Sequence, residues 1–210
     1  MLELRPGVWH WQSAHPDWND EQKWPELVSS YGIEVSDDFL LFDPLDVPDE
    51  LRERATAVVL TAPYHDRDAR WLGLPVHTPP ADTWHDWVEK FGVDADRVRG
   101  MESDDLAWLR ASEGEGHFHG PGAWPFGINA YAGREDNDLI LWVPSINAIV
   151  TGDSLADFGD GLEIQLGGRK NVTRDDVVQR LRPLLDLPVE LVLPAHGEPT
   201  DRVALERLLP

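Results

Sequence analysis

Apolar residues alternate with polar ones over residues 2–11 and gather in a compact run over 39–43, closed by Asp43-Pro44; both patterns read as strands. A short helical pattern over 49–55 leads into the β-branched run Ala57-Val58-Val59-Leu60, which ends at Thr61. Residues 74–76 give a weaker strand, and 82–91 show helical periodicity behind an N-cap candidate. The strongest strand signals are 139–143 and 148–150, separated by the tight turn Pro144-Ser145-Ile146-Asn147. Residues 173–185 read as a helix with Thr173 as N-cap and Asp175 and Asp176 in its first turn, where free N–H groups and the helix dipole favour acids. A last strand over 190–193 and a short helix over 204–209 complete the pattern. Residues 114–127, rich in Gly, Pro and His, read as loop; Gly159-Asp160-Gly161 and Gly167-Gly168-Arg169-Lys170 read as turns. The acidic run Glu102-Ser103-Asp104-Asp105 reads as a helix cap. No repeat or linker interrupts the alternation of strands with helices, so the pattern predicts one α/β domain over residues 1–210, with sheets covered by helices.

Composition narrows the chemistry. The chain carries 18 Lys+Arg against 39 Asp+Glu, a net charge of −21, and a field of that sign repels phosphate backbones and anionic lipid. Nucleic acid and membrane are therefore not expected as partners, which leaves a small-molecule substrate. No apolar run approaches the roughly 18 residues that span a bilayer, and no basic-then-apolar leader opens the chain, so the sequence reads as soluble and cytosolic. The absence of cysteine excludes disulfides, thiolate nucleophiles and Cys-held metals, so any metal falls to the 8 His and the carboxylates. A nucleophile elbow, a phosphate-binding loop and a dinucleotide fingerprint are all missing. Nothing in the pattern fixes the oligomeric state.

Three apolar strands run directly into polar groups. Thr61 is followed by Tyr64, His65, Asp66, Arg67 and Asp68; the 148–150 strand leads to Thr151-Gly152-Asp153; the 190–193 strand leads to Pro194-Ala195-His196-Gly197. Side chains just past strand ends collect at one edge of a sheet, where sites are built.

With those three strand ends in order, the chain resembles the metallo-β-lactamase superfamily. That family has a four-layer αββα sandwich. Its motifs are Thr-His-x-His-x-Asp-His after a strand, a later Gly-His, a Thr-Gly-Asp after a hairpin and a final Pro-x-His-Gly. Thr61, Thr151-Gly152-Asp153 and Pro194-Ala195-His196-Gly197 match in order and in strand context, and Ser30-Tyr31-Gly32 with Leu40-Leu41-Phe42-Asp43-Pro44 looks like the opening hairpin. The resemblance spans nearly the whole chain.

Departures from the family decide what the resemblance implies. Counted from Thr61, the motif falls on Ala62, Pro63, Tyr64, His65, Asp66 and Arg67, so Ala62 and Tyr64 stand where the first metal's histidines would be. The stretch from Tyr131 to Asp138, where the later Gly-His belongs, holds no histidine. The first metal site is therefore absent from the pattern. For the second, Asp66, Asp153 and His196 remain, and His65, one residue out of register, offers a replacement ligand. The resemblance thus implies at most one divalent ion, Zn²⁺, Mn²⁺ or Fe²⁺, held by Asp66, Asp153, His196 and His65. Such an ion would activate water against an ester, lactone, thioester or amide, with Tyr64 or His65 hydrogen-bonding the oxyanion or leaving group. The alternative is a metal-free, non-catalytic protein in which Arg67, at the last motif position, pairs with Asp153 or Asp66 and neutralises the former metal-site carboxylates.

Two further groups stand outside these motifs. His117 and His119 lie at i and i+2, as a metal clamp on a strand would, and flank the site as loop residues in the plainer reading. Most of the 10 Trp read as core packing, with Trp124, Phe118 and Phe126 as candidates to line an apolar pocket.

Overall fold

The computed structural model describes residues 1–111 and 116–209. Seven strands form one sheet in chain order: β1 Leu2–Arg5, β2 Val8–Ala14, β3 Leu27–Val35, β4 Asp38–Phe42, β5 Ala57–Val59, β6 Val76–Thr78 and β7 Gly116–Phe118. The first four pair antiparallel through β4, and β4 to β7 run parallel. The second sheet contains β8 Gly122–Ala123, β9 Asn129–Glu135, β10 Asp138–Val143, β11 Ala148–Thr151, β14 Leu191–Pro194 and β15 Thr200–Asp201, in the order β15-β14-β11-β10-β9-β8. Between β11 and β14, β12 Leu155–Asp157 and β13 Leu162–Ile164 form a separate hairpin.

Period-2 alternation explains the layers. Leu40, Phe42 and Val59 on the first sheet and Leu139, Leu141 and Val143 on the second face each other in the inter-sheet core. On the outer face of the first sheet, Phe39, Leu41 and Val58 pack with Leu51 of α1 (Asp49–Arg52), Ala69 of α2 (Ala69–Leu72) and Leu109, which lies on α5 (Ala107–Ala111) after α3 (Trp84–Phe91) and the short α4 (Ala95–Val98). On the outer face of the second sheet, Ile140, Trp142 and Ile149 pack against Val177 and Leu181 of α6 (Arg174–Leu181) and Leu205 of α7 (Arg202–Leu208). The order of layers is helix, sheet, sheet, helix, the αββα sandwich that the resemblance implied.

Several boundaries differ from the pattern. The alternating run at 2–11 breaks at Gly7, whose φ of +81° turns the chain between β1 and β2. The helix from Thr173 closes as α6 at Leu181 and continues as a 3-10 turn over Arg182–Asp186, with Pro183 at the start of that turn. Both β3 and β9 escape the pattern, and the His-rich loop contains β7 and β8; its residues 114–115 lie outside the described residues.

Candidate metal centre

The site forms where both sheets end. His65 follows β5 of the first sheet, whereas Asp153 and His196 follow β11 and β14, parallel neighbours in the second. Past Ala62, which is extended, the chain tightens into a 3-10 turn over Pro63–His65 with Pro63 at its first position. That turn carries His65 inward.

One ligand atom from each of His65, Asp153 and His196 lies within 4.8 Å of the others. His65 Nε2 is 3.1 Å and His196 Nε2 3.3 Å from the same oxygen, Asp153 Oδ1. Tetrahedral ligands held about 2.0–2.1 Å from zinc stand about 3.3 Å apart, so the donor types and the two separations fit one divalent ion. On its far side, His65 Nδ1 is 3.0 Å from Asp43 Oδ2, an oxygen that also accepts the Thr61 hydroxyl at 2.6 Å. A carboxylate behind a histidine fixes the tautomer and turns the other nitrogen toward a ligand. Asp43 is fully buried, has a φ of +44°, and had no signal in the sequence beyond its place after an apolar run.

Charge is tightly balanced here. Burial by itself would lower the His65 pKa, but the Asp43 and Asp153 carboxylates on its two sides push it up to about 9. His196 moves down, because burial outweighs its contact with Asp153, and so stays neutral. Burial would raise Asp153, but hydrogen bonds from His196 and His65 and the charge of Arg134 hold it well below the usual carboxylate range. The buried Nδ1 of His196 has no hydrogen-bond partner, an orphan of the kind that concentrates at functional sites.

Arg134 supplies a fixed cation on the other face of Asp153. It lies near the end of β9 beside Gly133, where the Gly-His of the resembling family would be sought. Its Nη2 donates to Asp153 Oδ2 at 3.0 Å and to the Tyr64 hydroxyl at 2.8 Å, and its Nε lies 2.5 Å from Asp138 Oδ2. Tyr64 in turn donates to Asp138 Oδ2 at 3.0 Å. A buried guanidinium thus pairs with two carboxylates in an environment where either alone would be costly. Between two anions, the Tyr64 hydroxyl is pushed upward, chiefly by burial and by Asp138, and remains protonated.

The other motif residues have different partners. Arg67 pairs with neither Asp153 nor Asp66: its Nη1 donates to the backbone carbonyls of Ser29 (2.8 Å) and Asp43 (2.6 Å), from a backbone φ of +35°. That left-handed backbone turns the side chain under the end of β4. Asp66 accepts the Trp108 indole at 2.8 Å and is not among the converging ligands. His117 and His119 sit away from the triad, their rings in contact with His77. Trp124 and Phe126 pack into the inter-sheet core, and it is Trp24 and Phe158 whose rings flank His196. A cavity of about 200 Å³ opens over the triad, lined by His15, Trp24, Tyr64, Arg67 and Phe158 as well as His65, Asp153 and His196.

No family model and no curated protein matches the sequence. Solved structures do match. A metallo-beta-lactamase family protein from Thermus thermophilus is 16% identical, with 98% of this chain and 79% of that one covered at a TM-score of 0.60. The metallo-beta-lactamase DIM-1 is 14% identical, with 99% and 93% covered at 0.61. TTHA1623 in a di-iron-bound form is 24% identical, with 89% and 96% covered at 0.57. The chain has the metallo-β-lactamase fold, with a His-Asp-His cluster at the edge where the two sheets meet. Among the described residues no helix is long and apolar enough to cross a membrane.

Proposed function

We propose that this protein is a hydrolase of the metallo-β-lactamase fold that uses one metal ion, with Arg134 in the place of a second. The observation that carries this reading is the sharing of Asp153: its Oδ1 faces His65 and His196, while its Oδ2 faces Arg134. His65 Nε2, Asp153 Oδ1 and His196 Nε2 would hold the ion, and Asp43 would keep His65 oriented toward it. Imidazole and carboxylate suit Zn²⁺, Mn²⁺ or Fe²⁺. When bound, such an ion supplies a water of lowered pKa and polarises a carbonyl of an ester, lactone, thioester or amide. Arg134 holds Asp153 ionised throughout, and Trp24 and Phe158 restrict the space above the triad.

A second reading is favoured by one observation: Asp43, His65, Asp153 and His196 already form a continuous chain of contacts, with Arg134 adding positive charge on the other face of Asp153. This cluster needs no ion, and the protein would then be a non-catalytic member of the fold.

Metal analysis of protein purified without chelator, beside a panel of aryl ester, lactone, thioester and amide substrates, separates the two. One ion per chain, lost together with hydrolysis in Asp153→Ala and His196→Ala, supports the hydrolase. Folded protein that takes up neither Zn²⁺, Mn²⁺ nor Fe²⁺ and cleaves nothing in the panel would overturn it.

A further inference from the structure

Arg67 is only half used. Its Nη1 is held by the carbonyls of Ser29 and Asp43, while its Nε is buried without a hydrogen-bond partner. Its Nη2 makes no hydrogen bond and the side chain makes no ion pair with a carboxylate among the described residues, although acids outnumber bases in this chain by 39 to 18. The nearest acids are already committed. Asp43 accepts from the Thr61 backbone and hydroxyl and from His65, and Asp153 from His65, His196 and Arg134.

This guanidinium also belongs to the cavity over the triad, sharing its wall with His15, Trp24, Tyr64 and Phe158. A guanidinium N–H donates a strong, charge-assisted hydrogen bond to a carboxylate, and Nη2 is the donor that the Ser29 and Asp43 carbonyls leave without a partner and that is not sealed off as Nε is. The anchoring of Nη1 fixes the guanidinium in place, so little side-chain entropy is left to lose on binding. About 200 Å³ is smaller than the roughly 300–1,000 Å³ of drug-sized pockets, which limits the ligand to a small molecule with a flat or apolar body beside Trp24 and Phe158.

We infer that Arg67 is the recognition residue for a carboxylate on the substrate, so that the molecule bound over His65, Asp153 and His196 is a small organic acid derivative carrying a free carboxylate. The inference rests on the reading of this cavity as the substrate site and adds the substrate's charge.

The test uses the ¹⁵N-labelled protein as purified, with propionate and propionamide as probes. Propionate should shift the Arg67 Nε–H resonance and bind more tightly than propionamide. Arg67→Lys, which keeps the charge but loses the fork, should weaken propionate binding roughly tenfold or more with its metal content unchanged. Equal binding of the two probes, or propionate binding that leaves the Nε–H resonance in place, would overturn the inference. If Arg67→Lys does not fold, the wild-type resonance, assigned from the backbone of residues 66–68, gives the same answer. Metal content and substrate cleavage measured on the same sample keep the two proposals apart. Protein that takes up no added metal and cleaves nothing, yet prefers propionate through Arg67, keeps the carboxylate site and sinks the hydrolase; metal-loaded, hydrolytic protein whose Arg67 ignores propionate does the reverse.

Discussion

The Arg134 guanidinium stands 3.0 Å from Asp153 Oδ2, on the side of that carboxylate opposite to His65 and His196. Its fork also binds Asp138, whose side chain is completely buried. Under the proposed reading, this fixed cation of the chain takes the place of a second ion.

Removing that cation takes the fixed positive charge away from two carboxylates, Asp138 and Asp153, which keep only Tyr64 and Ser154 on one and the two histidines on the other. Arg134→Met is expected to destabilise the fold by about 3–5 kcal/mol, read from urea unfolding. Arg134→Met with Asp138→Asn should recover part of the loss, because it removes one of the stranded charges; an unaltered unfolding midpoint in Arg134→Met would contradict the pairing.

Asp43 acts through His65. Asp43→Asn cannot accept the Nδ1 proton in the same way, and zinc affinity should drop roughly 10–100-fold in a chelator competition, with the fold retained by circular dichroism. Unchanged affinity would mean that the Asp43 to His65 contact has no part in orienting a ligand.

Gly133 packs where no side chain fits. A Cβ there would collide with Ser154 Oγ and come within 2.7 Å of the Asp138 carbonyl oxygen, and a carbonyl of the backbone cannot move aside cheaply. Gly133→Ala should cost about 1–3 kcal/mol in thermal or urea unfolding and should disturb the adjacent Arg134 as well.

Acid should loosen the protein before its carboxylates titrate. Burial lowers both His10 and His77 to about 4, and His117 and His119 add to the effect on His77. Unfolded histidines take up protons near pH 6.5 and these folded ones do not, so the unfolded chain binds more protons between about 6.5 and 4. Stability should therefore fall as pH drops through that window. Urea midpoints at pH 6.5, 5.5 and 4.5 measure it, below the range in which His65, raised to about 9, gives the opposite slope, and His77→Gln should flatten the fall.

Much of this arrangement was legible in the sequence because strand ends are. The apolar runs before Thr61, Asp153 and His196 appear as β5, β11 and β14, and the Thr173 cap starts α6 where the pattern put it. Strands β3 and β9 were not legible in the apolar pattern: β3 mixes Ser29, Ser30, Gly32 and Glu34 into its length and showed only through the resemblance of Ser30-Tyr31-Gly32 to the opening hairpin, and β9 carries Gly133 and Arg134, so neither has a sustained apolar run. Arg134 was hidden for the same reason, since nothing local marks a polar residue whose partners, Tyr64, Asp138 and Asp153, come from three separate segments. The backbone turn that sends Arg67 to Ser29 and Asp43 is equally silent, because a φ of +35° on an arginine has no signature in composition.

The triad draws His65 from one sheet and Asp153 and His196 from the other. Whatever occupies the space between them is a rivet through the sandwich. Close by, the two halves are joined by Ser29 N donating to the Ala195 carbonyl at 2.9 Å and by the Tyr31 hydroxyl donating to that of Pro194 at 2.8 Å. Occupancy should thus slow amide hydrogen exchange in β3, β5 and β14 together, because strands of both sheets can then open only by releasing the same occupant.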